Sequence, residues 1–409
     1  MPPSNAFVVV TSLLLHSALG LAAPSSQLAS RDITRAKDLA VVLPALGHTK
    51  IAADEALFPA PWWHAIFDAF HQTSVGDALE TENKLKDWRL VAMRFAPCQP
   101  LLPFVTPRNA RLCQPELRLV WQPITQHFVR DRWQAHADDR AFHALYRFEP
   151  EAGLDKDQAL RWQELHERAE HLQAAEELEF DKLNRQLVDV LVTKLKQLRG
   201  SNPVSLYDDL GERPEFSQQE STADFLQRLS SFLHTFAKPQ NLTQLTAFSL
   251  PEGRDPPMID EWVFIAFEPI SAGSELKRQE LTVKSARDGR ILASYGLKAR
   301  GTVRRDDESL VDLKDQLERT NKGADWAELD AAVIWTFPER KRKAARIADP
   351  HQTHVAHTSC ISCHKLGPVN FDLHNLSYFE NHDISISPRV KHDVGRELEW
   401  LSQSQKITK

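Results

Sequence analysis

The stretch "DWRLVAMRF", residues 87–95, reads as a strand, and "ELRLVWQ", residues 116–122, reads as its neighbour. In the second, Leu117, Leu119 and Trp121 fall on one face, because strand side chains alternate with a period of two. Between them lie Cys98 and Cys113, bounding a proline-rich loop. The two cysteines therefore flank the mouth of a hairpin. In an oxidising compartment they are expected to join, whereas in the cytosol they would stay free thiols. Closing such a loop stabilises by about 3 kcal/mol in the chain-entropy treatment. "AFHALYRF", 141–148, supplies a third strand.

Beyond these strands the period lengthens. Leu154 to Arg199 reads as one long helical stretch, with Leu187, Leu191, Leu195 and Leu198 at helical spacing, Gly200 as the stop and Pro203 beyond it. Its Glu-rich first half reads as a solvated helix face rather than a coiled coil, since no a/d repeat persists. Thr222 to Ala237 forms a second amphipathic helix, with Phe225, Leu229, Phe232 and Phe236 on one side. The period then returns to two. "EWVFIAFEP" (261–269) is apolar on both faces, as in an interior strand. "ELTVKSARDGRILASYGL" (280–297) signals a hairpin turning at Asp288-Gly289, and "AAVIWTF" (331–337) is another buried strand. The fold class that follows is α+β. The two blocks of strands fit either one sheet or two.

Composition narrows the function. The chain has 409 residues, 42% apolar and 26% charged, with a formal net charge of −6. No global positive field draws nucleic acid, and no RNA- or zinc-finger pattern is present. Glycines number 14, and the phosphate-binding, zinc-protease and nucleophile-elbow motifs are missing. The first 27 residues carry no Asp, Glu, Lys or Arg, Phe7 to Leu15 is apolar, and Gly20-Leu21-Ala22 supplies small residues. That pattern reads as a signal peptide over 1–22 and hence as an exported, periplasmic protein. No other segment is apolar enough to span a membrane.

After a basic run, "ERKRKAAR" (339–346), the composition changes, and a boundary is expected there. An α+β domain of unknown role would cover 33–345, and a short, mostly helical segment 346–409. His351, His354, His357, His364, His374, His382 and His392 crowd this segment, out of 17 in the chain. Inside it lies "HVAHTSCISCHKLGPVNF", 354–371. Cys360 and Cys363 stand three apart with His364 directly after, the spacing at which two thiols add to the two vinyl groups of one haem while the histidine faces the iron.

At "CISCHKLGP" the chain resembles the c-type cytochromes, over some ten residues. The resemblance implies one covalently attached haem c, with its iron, held by Cys360, Cys363 and proximal His364. Gly367-Pro368 resembles the Gly-Pro of class I members, where the proline carbonyl accepts a hydrogen bond from the proximal histidine. The departure is the sixth ligand. Met1, Met93 and Met258 all precede the motif, so no methionine follows it. Of the downstream histidines, His374 lies among Phe371, Leu373, Leu376, Tyr378 and Phe379 and is the favoured sixth ligand; otherwise it is a core histidine, and His357, His354 or His392 takes the place, or the iron is five-coordinate. On the helix read from "SPRVKHDVGRELEWL", Val390, Val394, Leu398 and Leu401 share a face and His392 falls opposite.

The implied function is electron transfer with an unidentified redox partner protein, rather than catalysis. A haem enzyme or a gas or redox sensor with an open iron site is the alternative. Cys360, Cys363, His354 and His357 also make a four-ligand zinc set. A thiol–disulfide role lacks its βαβ context. A single C-x-x-C-H argues against a di-haem arrangement, and the strands upstream argue against a four-helix cytochrome.

Overall fold

The computed structural model describes residues 36–44, 51–73, 84–101, 112–137, 141–199, 210, 213–217, 219–249, 262–270, 275–278, 281–284, 291–295, 302–303, 345, 376–377, 385–386 and 388–403. The chain enters through a helical turn, α1 (Ala36–Leu39), a short strand, β1 (Ala40–Val42), and a helix, α2 (Ala60–Thr73). Then come the two strands legible at 87–95 and 116–122, β2 (Trp88–Pro100) and β3 (Cys113–Val129). They run antiparallel, with Met93 opposite Leu119, Phe95 opposite Leu117 and Leu90 opposite Trp121. Residues paired this way share a face. Cys98 and Cys113 meet at disulfide distance, sulfur to sulfur 2.10 Å.

β3 outruns its sequence signal. Past Gln122 it continues and pairs with β4 (Arg132–Ala137) through a two-residue turn at Arg130 and Asp131, whose φ angles are 50° and 63°. Such hairpin turns need the left-handed region and normally advertise themselves with Gly or Asn. "VRDR" does not, so this hairpin was not expected.

β5 (Ala141–Arg147) follows, then helices α3 (Lys156–Glu167), α4 (Ala174–Gln197) and α5 (Gln219–Phe236), and strands β6 (Leu242–Ser249) and β7 (Trp262–Pro269). The expected single helical stretch over 154–199 is two helices. Asp155 caps α3, accepting from the Gln158 N–H at 2.9 Å while the Gln158 side chain accepts from Asp155 N. Gln173 and Glu176 build the same reciprocal cap on α4. The second cap restarts the chain after a 3-10 turn at Ala169–His171, satisfying N–H groups that a helix start leaves without partners. Arg161 then reaches across to Glu179 at 2.7 Å. The long Glu-rich stretch is thus a helical hairpin within the chain. Gly153, just before α3, sits against α4 so closely that a Cβ there would lie 3.0 Å from Leu187 Cδ1 and 3.1 Å from its Cα.

The smaller strands are β8 (Leu276–Arg278), β9 (Leu281–Lys284), β10 (Ile291–Tyr295) and β11 (Thr302–Val303). β9 and β10 pair antiparallel, as read from 280–297. The two blocks join in one sheet, in the order β1-β2-β3-β5-β6-β7-β11, with β4 on β3 and β8 on β7, while β9 and β10 form a two-stranded sheet of their own. The seam is β5 against β6, where Phe142 faces Ala247 and Ala144 faces Leu245. The class is α+β, and every described strand pair is antiparallel.

The register sorts the sheet into two unlike faces. One carries Met93, Phe95, Leu117, Leu119, Trp121, Phe142, Ala144, Tyr146 and Leu245, all buried. Phe58 packs edge-on against Trp121 and Phe142 at 5.2 and 5.0 Å, Trp63 of α2 lies 6.5 Å from Phe142, and Phe148 bridges Phe95 to Phe236 of α5. Burying each such side chain contributes roughly 1.5–3 kcal/mol. On α5 the buried positions include Phe225, Leu229, Phe232 and Phe236, the face read from sequence. The other face is polar. There Arg94 stands opposite Arg118, with Glu116 two residues away, and all three are buried. The strand read at 331–337 and the signal segment lie outside the described residues.

Candidate functional site

What buries the polar face is the far end of the chain. β12 (Leu376–Ser377) and β13 (Ser385–Ile386) pair with each other, and β12 lies against β2 and β3. A helix, α6 (Pro388–Gln403), follows and packs on β2 and α1. Proline at the first helical position fits, because that N–H has no helical partner in any case. Val390, Val394 and Leu401 are buried, while Leu398 and Trp400 are partly buried against the core. His392 is exposed, on the side away from Val390 and Val394. Arg185 of α4 lies 4.4 Å over the Trp400 ring.

Between α6 and the polar face runs a buried ionic network. Arg94 Nη2 donates to Asp393 Oδ2 at 3.3 Å and to Glu397 Oε1 at 3.1 Å. Asp393 also accepts from Arg389 Nε at 3.1 Å and has Arg396 Nη2 at 3.9 Å. On the sheet, Arg118 donates to Glu116 through Nε and Nη2, at 3.2 and 3.0 Å. Asp393 and Glu397 are one helical turn apart, so both project to the same strand. The helix side chains meet Arg94 across some 300 residues of sequence.

The two carboxyls share Arg94 but not its effect. Burial pushes Asp393 up, yet Arg389, Arg94, Arg396 and Arg118 together reverse this and hold it well below the usual carboxylate range. Glu397 is pushed up to about 7, by burial first, with Arg94 opposing and Asp393 adding to the rise. Arg94 is destabilised as a cation by burial, but Glu397 and Asp393 more than restore it. Arg396 falls below its ordinary value because burial outweighs its distant carboxylates. The network thus sets two carboxyls one turn apart in opposite directions, Asp393 down and Glu397 up.

Cys360, Cys363, His364, Pro368 and His374 all lie outside the described residues, as do His351, His354 and His357. In sequence they precede β12. Among the described residues no cluster of three or more His, Cys, Asp and Glu could hold a metal. Among them also, no helix is long and apolar enough to cross a membrane. Sequence reading missed the ionic network. The available signal was Arg94 and Arg118 alternating with buried apolar residues on strands, and two carboxylates four apart on an amphipathic helix. No protein-family model, curated protein or solved structure matches the chain.

Proposed function

We propose that the chain is an exported, periplasmic c-type cytochrome protein that binds one haem covalently and transfers electrons. The observation that carries this is Cys360-Ile361-Ser362-Cys363-His364, in a chain with four cysteines. Cys98 and Cys113 meet each other, leaving this pair for other chemistry. Cys360 and Cys363 would hold the haem by thioether bonds, and His364 would ligate its iron with Pro368 orienting the imidazole through its carbonyl. His374 would complete the coordination. Such a haem supplies a one-electron couple, and an iron closed by two imidazoles favours carriage over ligand activation.

The test is expression in a periplasm equipped for haem ligation. The band should keep its haem stain after denaturing electrophoresis, and Cys360→Ala with Cys363→Ala should abolish it. His374→Ala should convert a low-spin ferric spectrum to high-spin and admit carbon monoxide to the ferrous form. Protein carrying zinc and no haem would overturn the reading. A wild type already high-spin and open to carbon monoxide would transfer it to a haem enzyme or sensor.

A further inference from the structure

Two carboxyl groups in the interface under α6 share one nitrogen of one arginine. Asp393 has other recourse, since Arg389 donates to it at 3.1 Å and Arg396 lies at 3.9 Å. Glu397 has none. Its only ionic partner among the described residues is Arg94, and its second oxygen, Oε2, is buried without a hydrogen-bond partner. The side chain is 2% exposed. Because both carboxyls touch Arg94 Nη2, they also stand close enough to repel when both are ionised. Paired acids of this kind titrate in separate steps, and the proton goes to the member with fewer cations around it.

We propose that Glu397 is a proton-operated latch on the C-terminal helix: α6 is held firmly on the sheet while Glu397 carries a proton, and its hold weakens when the proton leaves. The charged groups facing the latch are Arg94 from β2, Glu116 and Arg118 from β3, and Arg389, Asp393 and Arg396 from α6 itself. On the flanks, Asp38 of α1 is engaged by Arg199, and Arg185 of α4 is engaged by Asp181 and the Trp400 ring. Docking raises the Glu397 value from the ordinary 4.5 to about 7. The docked state therefore binds the proton more tightly than the open one. Its advantage is complete below about pH 4.5 and is lost as pH rises through about 7. Asp393, held low, works in the opposite sense only in strong acid.

Every group invoked lies in the described residues, so the latch does not depend on the haem reading. Hydrogen exchange of the full chain, read at peptides from 388–403 and corrected for the intrinsic pH dependence of amide exchange, measures α6 opening directly. Between pH 5.5 and 8 the opening equilibrium of the wild type should rise roughly 30-fold, from linkage over that shift. In Glu397→Gln it should be flat. Peptides from α5, which carries the separately titrating His234, should not follow the same curve. A flat wild type, or the same rise in Glu397→Gln, overturns the latch. If Glu397→Gln does not fold, infrared difference spectra of the wild type decide. A protonated carboxyl band present at pH 5.5 and lost by pH 8 is expected, and no such band overturns the latch.

Discussion

Replacing Arg94 with methionine removes the cation on which the α6 interface turns while keeping most of the side-chain volume. Arg94 is 6% exposed and bridges Asp393 and Glu397 from the opposite element. Without it, Asp393 keeps Arg389 at 3.1 Å, but Glu397 keeps no cation within 4 Å among the described residues. Stranding a buried charge this way costs roughly 3–5 kcal/mol. A domain's whole stability is of order 5–15 kcal/mol, so the loss is a large share of it. The assay is urea unfolding of Arg94→Met and wild type at pH 8, with cleavage near residue 388 followed by limited proteolysis. A fall in midpoint and early release of the C-terminal helix are expected. At pH 5.5 the deficit should shrink, because Glu397 takes up a proton and no longer strands a charge. Adding Glu397→Gln should recover at least half the loss at pH 8. A single-variant cost below about 1 kcal/mol, or no recovery in the double variant, would refute the reasoning.

Gly153→Ala should destabilise by about 1–3 kcal/mol in chemical denaturation, since the new methyl meets the Leu187 backbone and cannot be relieved by a rotamer change. Leu187→Ala combined with it should not restore stability, because part of the contact is with the helix main chain. An unreduced digest should yield one joined peptide pair containing Cys98 and Cys113, and two separately alkylated thiols from a periplasmic preparation would count against it.

The elements best legible in the sequence were those whose pattern is local. β2, β5 and β7 carry long apolar runs or alternation, and α5 and α6 carry full helical stripes, so their periods announce them. β4 escaped because its turn is built on Arg130 and Asp131, which occupy the left-handed region without the glycine that signals it. The break between α3 and α4 escaped because its caps use Gln173 and Glu176, residues that also favour helix interiors. The joining of two strand blocks at β5 and β6 is a tertiary choice that no local pattern encodes. The same holds for the ionic network. Arg94, Asp393 and Glu397 are each unremarkable on their own element, and only the docking of α6 makes them partners. The haem motif is the reverse case, where a short local spacing speaks for a chemistry whose surroundings it does not specify.

The contact of Arg94 with Glu397 also sets an order in time. Synthesis delivers β2 long before α6, so Arg94 waits for Asp393 and Glu397 while Arg118 already has Glu116 on its own strand. Contacts this distant in sequence are slow to form and leave intermediates exposed meanwhile. A chain lacking 388–403 would leave Arg94 without Asp393 and Glu397. It would also lose the packing of Val390, Val394 and Leu401 on the core. Covering Arg94 therefore waits on residues some 300 positions downstream, which makes it a late event in a chain built from its N-terminus.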